Sequence, residues 1–146
     1  MSDRDLYVPG PASGARVTKE GVQKNRGQWT LILVRELSHP PEKVWQALQT
    51  RHICDATKLL EYDDTRWELE ATDFGTCLTL WHNIDRRFIA WGAAGWHIAF
   101  DVLDRLLSGI PIGRIAGPEA MKFSRWHRLV AEYAKQFAVP TPTWPP

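Results

Sequence analysis

The chain has 146 residues, the length of one ordinary domain. Apolar residues make up 44% and charged residues 24%, the balance of a folded protein and not of a disordered one. Eighteen lysines and arginines against seventeen aspartates and glutamates leave a net charge of +1, which excludes a nucleic-acid binder working through bulk charge. The two cysteines, Cys54 and Cys77, cannot build a disulfide scaffold and sit in no CxxC pattern. Eight tryptophans give the core an unusually large aromatic content. The first ten residues carry Asp3, Arg4 and Asp5 and no apolar run, so no signal peptide is expected and a cytoplasmic protein is.

Residues 1–28 hold Gly10, Gly14, Gly21 and Gly27 with Pro9 and Pro11 and show no apolar period; they read as a flexible leader. Residues 138–146 contain Pro140, Pro142, Pro145 and Pro146 and read as an extended tail, leaving residues 29–137 as the domain. Trp29 to Leu37 is rich in large and β-branched apolar side chains and predicts a strand. Pro41 and Glu42 then open a short helix, whose buried stripe is expected to be Pro41, Val44, Trp45 and Leu48. Residues 49–58 show no pattern.

Two alternating runs follow. Arg66-Trp67-Glu68-Leu69-Glu70 and Thr76-Cys77-Leu78-Thr79-Leu80-Trp81-His82 each put apolar side chains on one face. The loop Thr72-Asp73-Phe74-Gly75 supplies a glycine for positive φ. Pairing Ala71 with Thr76 sets Leu69 against Leu78 and Trp67 against Leu80 on the inner side, His82 against Thr65, and Arg66 beside Trp81 outside. Residues 59–62 make a third strand if Asp63-Asp64 is the turn, with Leu60 opposite Trp67.

Residues 88–108 predict a helix with two apolar sectors. One holds Ile89, Ala93, Trp96, Phe100, Leu103 and Leu107; the other holds Trp91, Ile98, Val102 and Leu106. His97, Asp101, Asp104 and Ser108 form a narrow polar strip. The longest uncharged stretch, residues 88–100, falls short of the roughly 20 apolar residues that span a bilayer, so no membrane span is expected. Gly109 and Pro111 stop the helix. Gly117-Pro118-Glu119 starts a last one with the stripe Phe123, Trp126, Val130, Tyr133 and Phe137.

Candidate chemistry is sparse. His82 reads as a strand-end histidine held by backbone or water, or as a polar handle beside Tyr62. His97 and Asp101 are an i, i+4 pair expected to be solvated on the polar strip. His52 and Cys54 lack two further ligands, so no metal and no cofactor are expected. The tryptophans read as core, or as the wall of an aromatic ligand site.

The order of Pro41-Glu42-Lys43-Val44-Trp45-Gln46-Ala47-Leu48, Gly75-Thr76-Cys77-Leu78-Thr79-Leu80 and Gly95-Trp96-His97 with Leu103 and Leu106 resembles the START-like (SRPBCC) helix-grip superfamily. Trp126 and Tyr133 match the tail of many bacterial members, and the branch is similar to the activator of heat-shock protein 90 ATPase. The resemblance implies an α+β fold, a curved antiparallel sheet gripping a long C-terminal helix with an apolar cavity between them. It departs after Leu48, where a block present in the family is missing, so the sheet is expected to be shortened.

The resemblance implies a non-catalytic module that binds a small hydrophobic molecule. Trp67, Leu69, Leu78 and Leu80 would form the sheet wall and Trp96, Phe100 and Leu103 the helix wall, with Tyr62 and His82 as polar handles. Two alternatives come with it. One is a cyclase or dehydratase-like enzyme on an aromatic or polyketide-like substrate, with His82 or His97 as base and Tyr62 as donor. The other is an interaction module like a chaperone activator. A shortened sheet would leave Trp91, Ile98, Val102 and Leu106 in water, so a homodimer through them is expected.

Overall fold

The computed structural model describes residues 9–18, 28–49, 65–110 and 124–141. In chain order the elements are β1 (Ala15–Thr18), β2 (Gln28–Leu37), α1 (Pro41–Gln49), β3 (Thr65–Thr72), β4 (Gly75–Asp85), α2 (Ile89–Leu107) and α3 (Ser124–Phe137), with a 3-10 turn at Arg86–Phe88 leading into α2. The strands form one four-stranded antiparallel sheet in the order β1-β2-β4-β3.

The β3–β4 hairpin has the expected register: Trp67 faces Leu80, Leu69 faces Leu78 and Thr65 faces His82. Charges on one face and apolar side chains on the other leave no alternative pairing, because a one-residue slip would send Trp67 and Leu69 to the solvent side. On the outer face the Arg66 guanidinium lies 4.0 Å above the Trp81 ring, as the register requires. Thr72 pairs with Gly75, so the turn itself is Asp73-Phe74, and Gly75 takes φ +151°. A Cβ on Gly75 would run into the Leu37 carbonyl, which is why the hairpin can tuck beneath the end of β2.

β2 pairs with β4 along its whole length and places Leu31, Leu33, Arg35 and Leu37 beside His82, Leu80, Leu78 and Thr76. α2 crosses the inner face, where Ile89, Trp96, Phe100, Leu103 and Leu107 are buried. Gly92 lets its backbone approach the sheet, since a Cβ there would lie 2.9 Å from Ile84 Cδ1. α3 packs against α2 through Trp126, Leu129, Val130 and Tyr133, all buried, and Trp91 meets Trp126 at 5.8 Å between ring centroids.

Four expectations change. The stretch read as a leader contains β1, which pairs Ala15–Thr18 with Leu33–Thr30 and adds an edge strand to the sheet. In α1 the buried face is Val44, Ala47 and Leu48, an i, i+3, i+4 set, while Trp45 sits a hundred degrees away and is 50% exposed. The second apolar sector of α2 is covered within the chain: Ile98 and Val102 are buried, and Trp91 and Leu106 are partly so. The exposed patch on which the homodimer rested is therefore absent. The polar strip of α2 is solvated only toward its end: His97 is buried and Asp101 half-buried, while the Asp104 side chain and Ser108 remain exposed. The strand expected at 59–62, the segment 49–58 beyond Gln49, and the start of the last helix at Gly117 lie outside the described residues.

Candidate functional site

The inner face of β3 and β4 meets α2 in a cluster of rings. Trp67 stands edge-on to Trp96 at 5.4 Å and lies 6.1 Å from Phe100; Trp96 and Phe100 are 6.3 Å apart. T-shaped and tilted ring pairs at these separations set positive ring edges against negative faces. His82 stands edge-on to Trp96 as well, at 6.1 Å. Trp96 donates its indole N–H to His82 Nδ1 at 3.2 Å, so Nδ1 carries the lone pair and a neutral ring holds its proton on Nε2. His82 is thus a buried acceptor that fixes the orientation of Trp96, not a handle at a mouth.

Leu78, Leu80 and Leu103 are fully buried behind the rings. Burial then falls off toward the sheet edge. Trp67 and Leu69 are half-buried, and Ala71 at the end of the same inward-facing row is exposed. Sheet and helix walls therefore come together as expected, and their accessible border is β3. Tyr62 and His52 lie outside the described residues, as does Cys54. Among the described residues no three His, Cys, Asp or Glu side chains group as a metal site.

A second, polar constellation occupies the neighbouring face of α2. Arg35 points inward from β2 and donates through Nη1 to Asp101 Oδ1 at 2.6 Å and through Nη2 to the His97 carbonyl at 3.5 Å; its guanidinium also lies 5.8 Å from the Phe100 ring. Arg35 is in phase with Leu31, Leu33 and Leu37, and that period-2 position is the sequence signal that could have placed it inside opposite a carboxylate. His97, expected in solvent, is 4% exposed. Its Nδ1 is 2.7 Å from the Tyr133 hydroxyl and its Nε2 is 3.6 Å from Asp101 Oδ2.

Burial pushes the His97 pKa below its ordinary value, with Asp101 opposing and Arg35 and Arg128 adding to the shift. Tyr133 donates to the Ser13 carbonyl at 3.0 Å and accepts from the Ser13 amide at 3.3 Å. Burial raises its phenol to about 12, against the lowering effect of the Ser13 bond. This network locks β2, α2, α3 and the β1 segment to one another. Arg35 links it to the aromatic cluster at Phe100.

Comparison with known proteins adds the fold. No family model matches the chain, and no curated protein matches it. The crystal structure of CalU16 from Micromonospora echinospora superposes with a TM-score of 0.56 over 88% of this chain and 97% of that one, at 16% identity. The chain is similar in fold to CalU16. A curved four-stranded antiparallel sheet against a long helix is consistent with the helix-grip class, and the likeness to CalU16 carries that architecture and no branch within it. Among the described residues no helix is long and apolar enough to cross a membrane.

Proposed function

We propose that the chain holds a small hydrophobic molecule, without chemically altering it, between the inner face of β3 and α2. The observation that carries this reading is the burial gradient across the sheet. Leu78 and Leu80 on β4 are sealed, while their direct partners Leu69 and Trp67 on β3 remain half-exposed beside Trp96 and Phe100. Apolar side chains on a core-facing row that is incompletely covered offer a ligand surface whose water is easily displaced. Leu78, Leu80 and Leu103 form the floor, and Trp67, Leu69, Trp96 and Phe100 line the contact. His82 Nδ1 already accepts from Trp96, so the contact offered by the described residues is apolar.

The same atoms support a non-catalytic role. A general base must reach the proton that it takes, and His82 is sealed with Nδ1 occupied. The test is a titration of the protein with lipids, flavonoids and polyketide-like aromatics, read by tryptophan fluorescence and by thermal shift. A binder raises the midpoint and changes the emission, and Trp67→Ala weakens it at least tenfold while leaving the fold intact. No response across the panel would overturn the reading, as would undiminished binding by the Trp67 variant.

A further inference from the structure

The outer face of the sheet, turned away from α2, separates its charges into two rows. Arg16, Ile32, Trp81 and Arg66 lie in register across β1, β2, β4 and β3, with an arginine at each end. Four residues along the strands, about 13 Å away, Glu36, Cys77 and Glu70 form a second row on β2, β4 and β3. Val34, Thr79 and Glu68 lie between the two. These arginines and glutamates are all exposed, and among the described residues none of the five makes an ion pair. Arg66 rests instead on the Trp81 ring at 4.0 Å. The centre of the face differs from its border: Ile32 is buried, Val34 is 38% exposed, and Cys77, Thr79 and Trp81 are half-buried. Apolar and weakly polar side chains inside a charged border have the anatomy of a protein interface.

We propose that this face associates with the same face of a second copy of the chain, about a two-fold axis that runs across the strands above Val34.

The charges select the axis. Sheets packed face to face keep their strands within about 30° of alignment, so a two-fold axis between them runs either along the strands or across them. An axis along the strands lays Arg16 over the partner's Arg66, like charge on like. An axis across them, above the Val34 row, reverses the partner's strands and lays each arginine row on the other copy's glutamate row. Arg66 then faces the partner's Glu70, and Arg16 lies beside the partner's Glu36. Symmetry makes each contact twice, so opposite charges close the border on both sides. Val34 meets the partner's Val34 on the axis, and Trp81 covers the partner's Cys77. Glu68 faces the partner's Glu68, and these two carboxylates sit between the two Arg66 guanidinium groups.

The area sets the strength. Four strands about 4.8 Å apart, over about eight residues, offer about 500 Å² on each copy, the low end for a specific interface. The dimer is therefore reversible, and its exposed charge pairs make it sensitive to salt. It forms on the side of the sheet opposite the proposed ligand surface and requires no ligand.

Sedimentation of the full chain from about 1 to about 200 µM, at low salt and without ligand, reads the association directly. The average mass rises with concentration toward twice that of the chain and falls back as salt is added. Arg66→Glu alone and Glu70→Arg alone each set like charges against one another at both symmetric positions, and each weakens the dimer by about tenfold or more. The double variant, Arg66→Glu with Glu70→Arg, restores opposite charges and recovers the unmodified affinity to within about threefold. Within one chain the two side chains are about 13 Å apart on β3 and do not pair, so the recovery reads contact between copies. A monomer throughout the range overturns the proposal. So does a dimer that survives the single reversals, or one that folded double variants fail to recover.

Discussion

Removing a single oxygen, in Tyr133→Phe, measures what the polar network is worth. The ring is fully buried, stacks on Phe137 at 5.7 Å and stands edge-on to His97 at 5.9 Å, and phenylalanine keeps all of that packing. Three interactions are lost: the two with the Ser13 backbone, at 3.0 and 3.3 Å, and the one with His97 Nδ1 at 2.7 Å. Ser13 itself is exposed, so water replaces the phenol at its amide and carbonyl and the net cost there is about 0.5–1.5 kcal/mol. His97 is buried, so its Nδ1 loses a partner that water does not replace, which costs about 1–3 kcal/mol more. The sum is a destabilisation of about 1.5–4.5 kcal/mol, read from urea or guanidinium unfolding at neutral pH with an unchanged m-value. A loss below about 0.5 kcal/mol would refute the reasoning, because it would mean that the network is no better satisfied than a hydrated one.

Three more outcomes follow from the geometry. Because the Tyr133 phenol is raised from 10.0 to about 12, the folded state favours its neutral form; that contribution is complete below pH 10 and is lost between there and about 12. The unmodified protein should therefore lose more stability than Tyr133→Phe on the same alkaline titration, and equal losses would contradict the burial argument. Gly75→Ala forces a side chain into a φ of +151° and against the Leu37 carbonyl, so it should cost about 2 kcal/mol or more and lower the thermal midpoint visibly. Arg66→Ala removes a cation from the Trp81 face on the outer side of the sheet and should cost only about 0.5–1 kcal/mol by denaturant titration, with no effect on ligand binding.

The hairpin and its register were legible because Trp67 and Leu69 alternate with three charges, and that pattern admits one pairing. The two sides of α2 were legible for the same reason. What periodicity cannot say is which neighbour covers a face. His97 and Asp101 fall on a polar strip in any helical projection, but only α3 and the inward-pointing Arg35 make that strip an interior. Trp45 was assigned by hydrophobicity where phase decides: Val44, Ala47 and Leu48 take the inner positions. β1 was illegible because Ala15–Thr18 is too short to show a period, and the residues before it are held by Arg128, Glu132 and Tyr133 far along the chain, with Gln136 reaching Ala15 itself. That Trp67, Trp96 and Phe100 face one another was legible from their phase, whereas the contact of His82 with Trp96 was not, since an indole donor across the interface has no local signature.

The contact between Ala12 and Glu132 spans 120 residues of chain. During synthesis the first edge of the sheet therefore emerges long before the helix that fastens it. At about 5–20 residues per second, β1 waits on the order of ten seconds for its partner side chains. The β3–β4 hairpin, closed by a two-residue turn, forms within microseconds of leaving the ribosome, and β2 joins it across the 53 residues that separate Thr30 from Asn83. The ladder of β1 on β2 is local in sequence and can form once both strands have emerged. The side chains of α3 that fasten residues 9–13 arrive only after the whole sheet has been made.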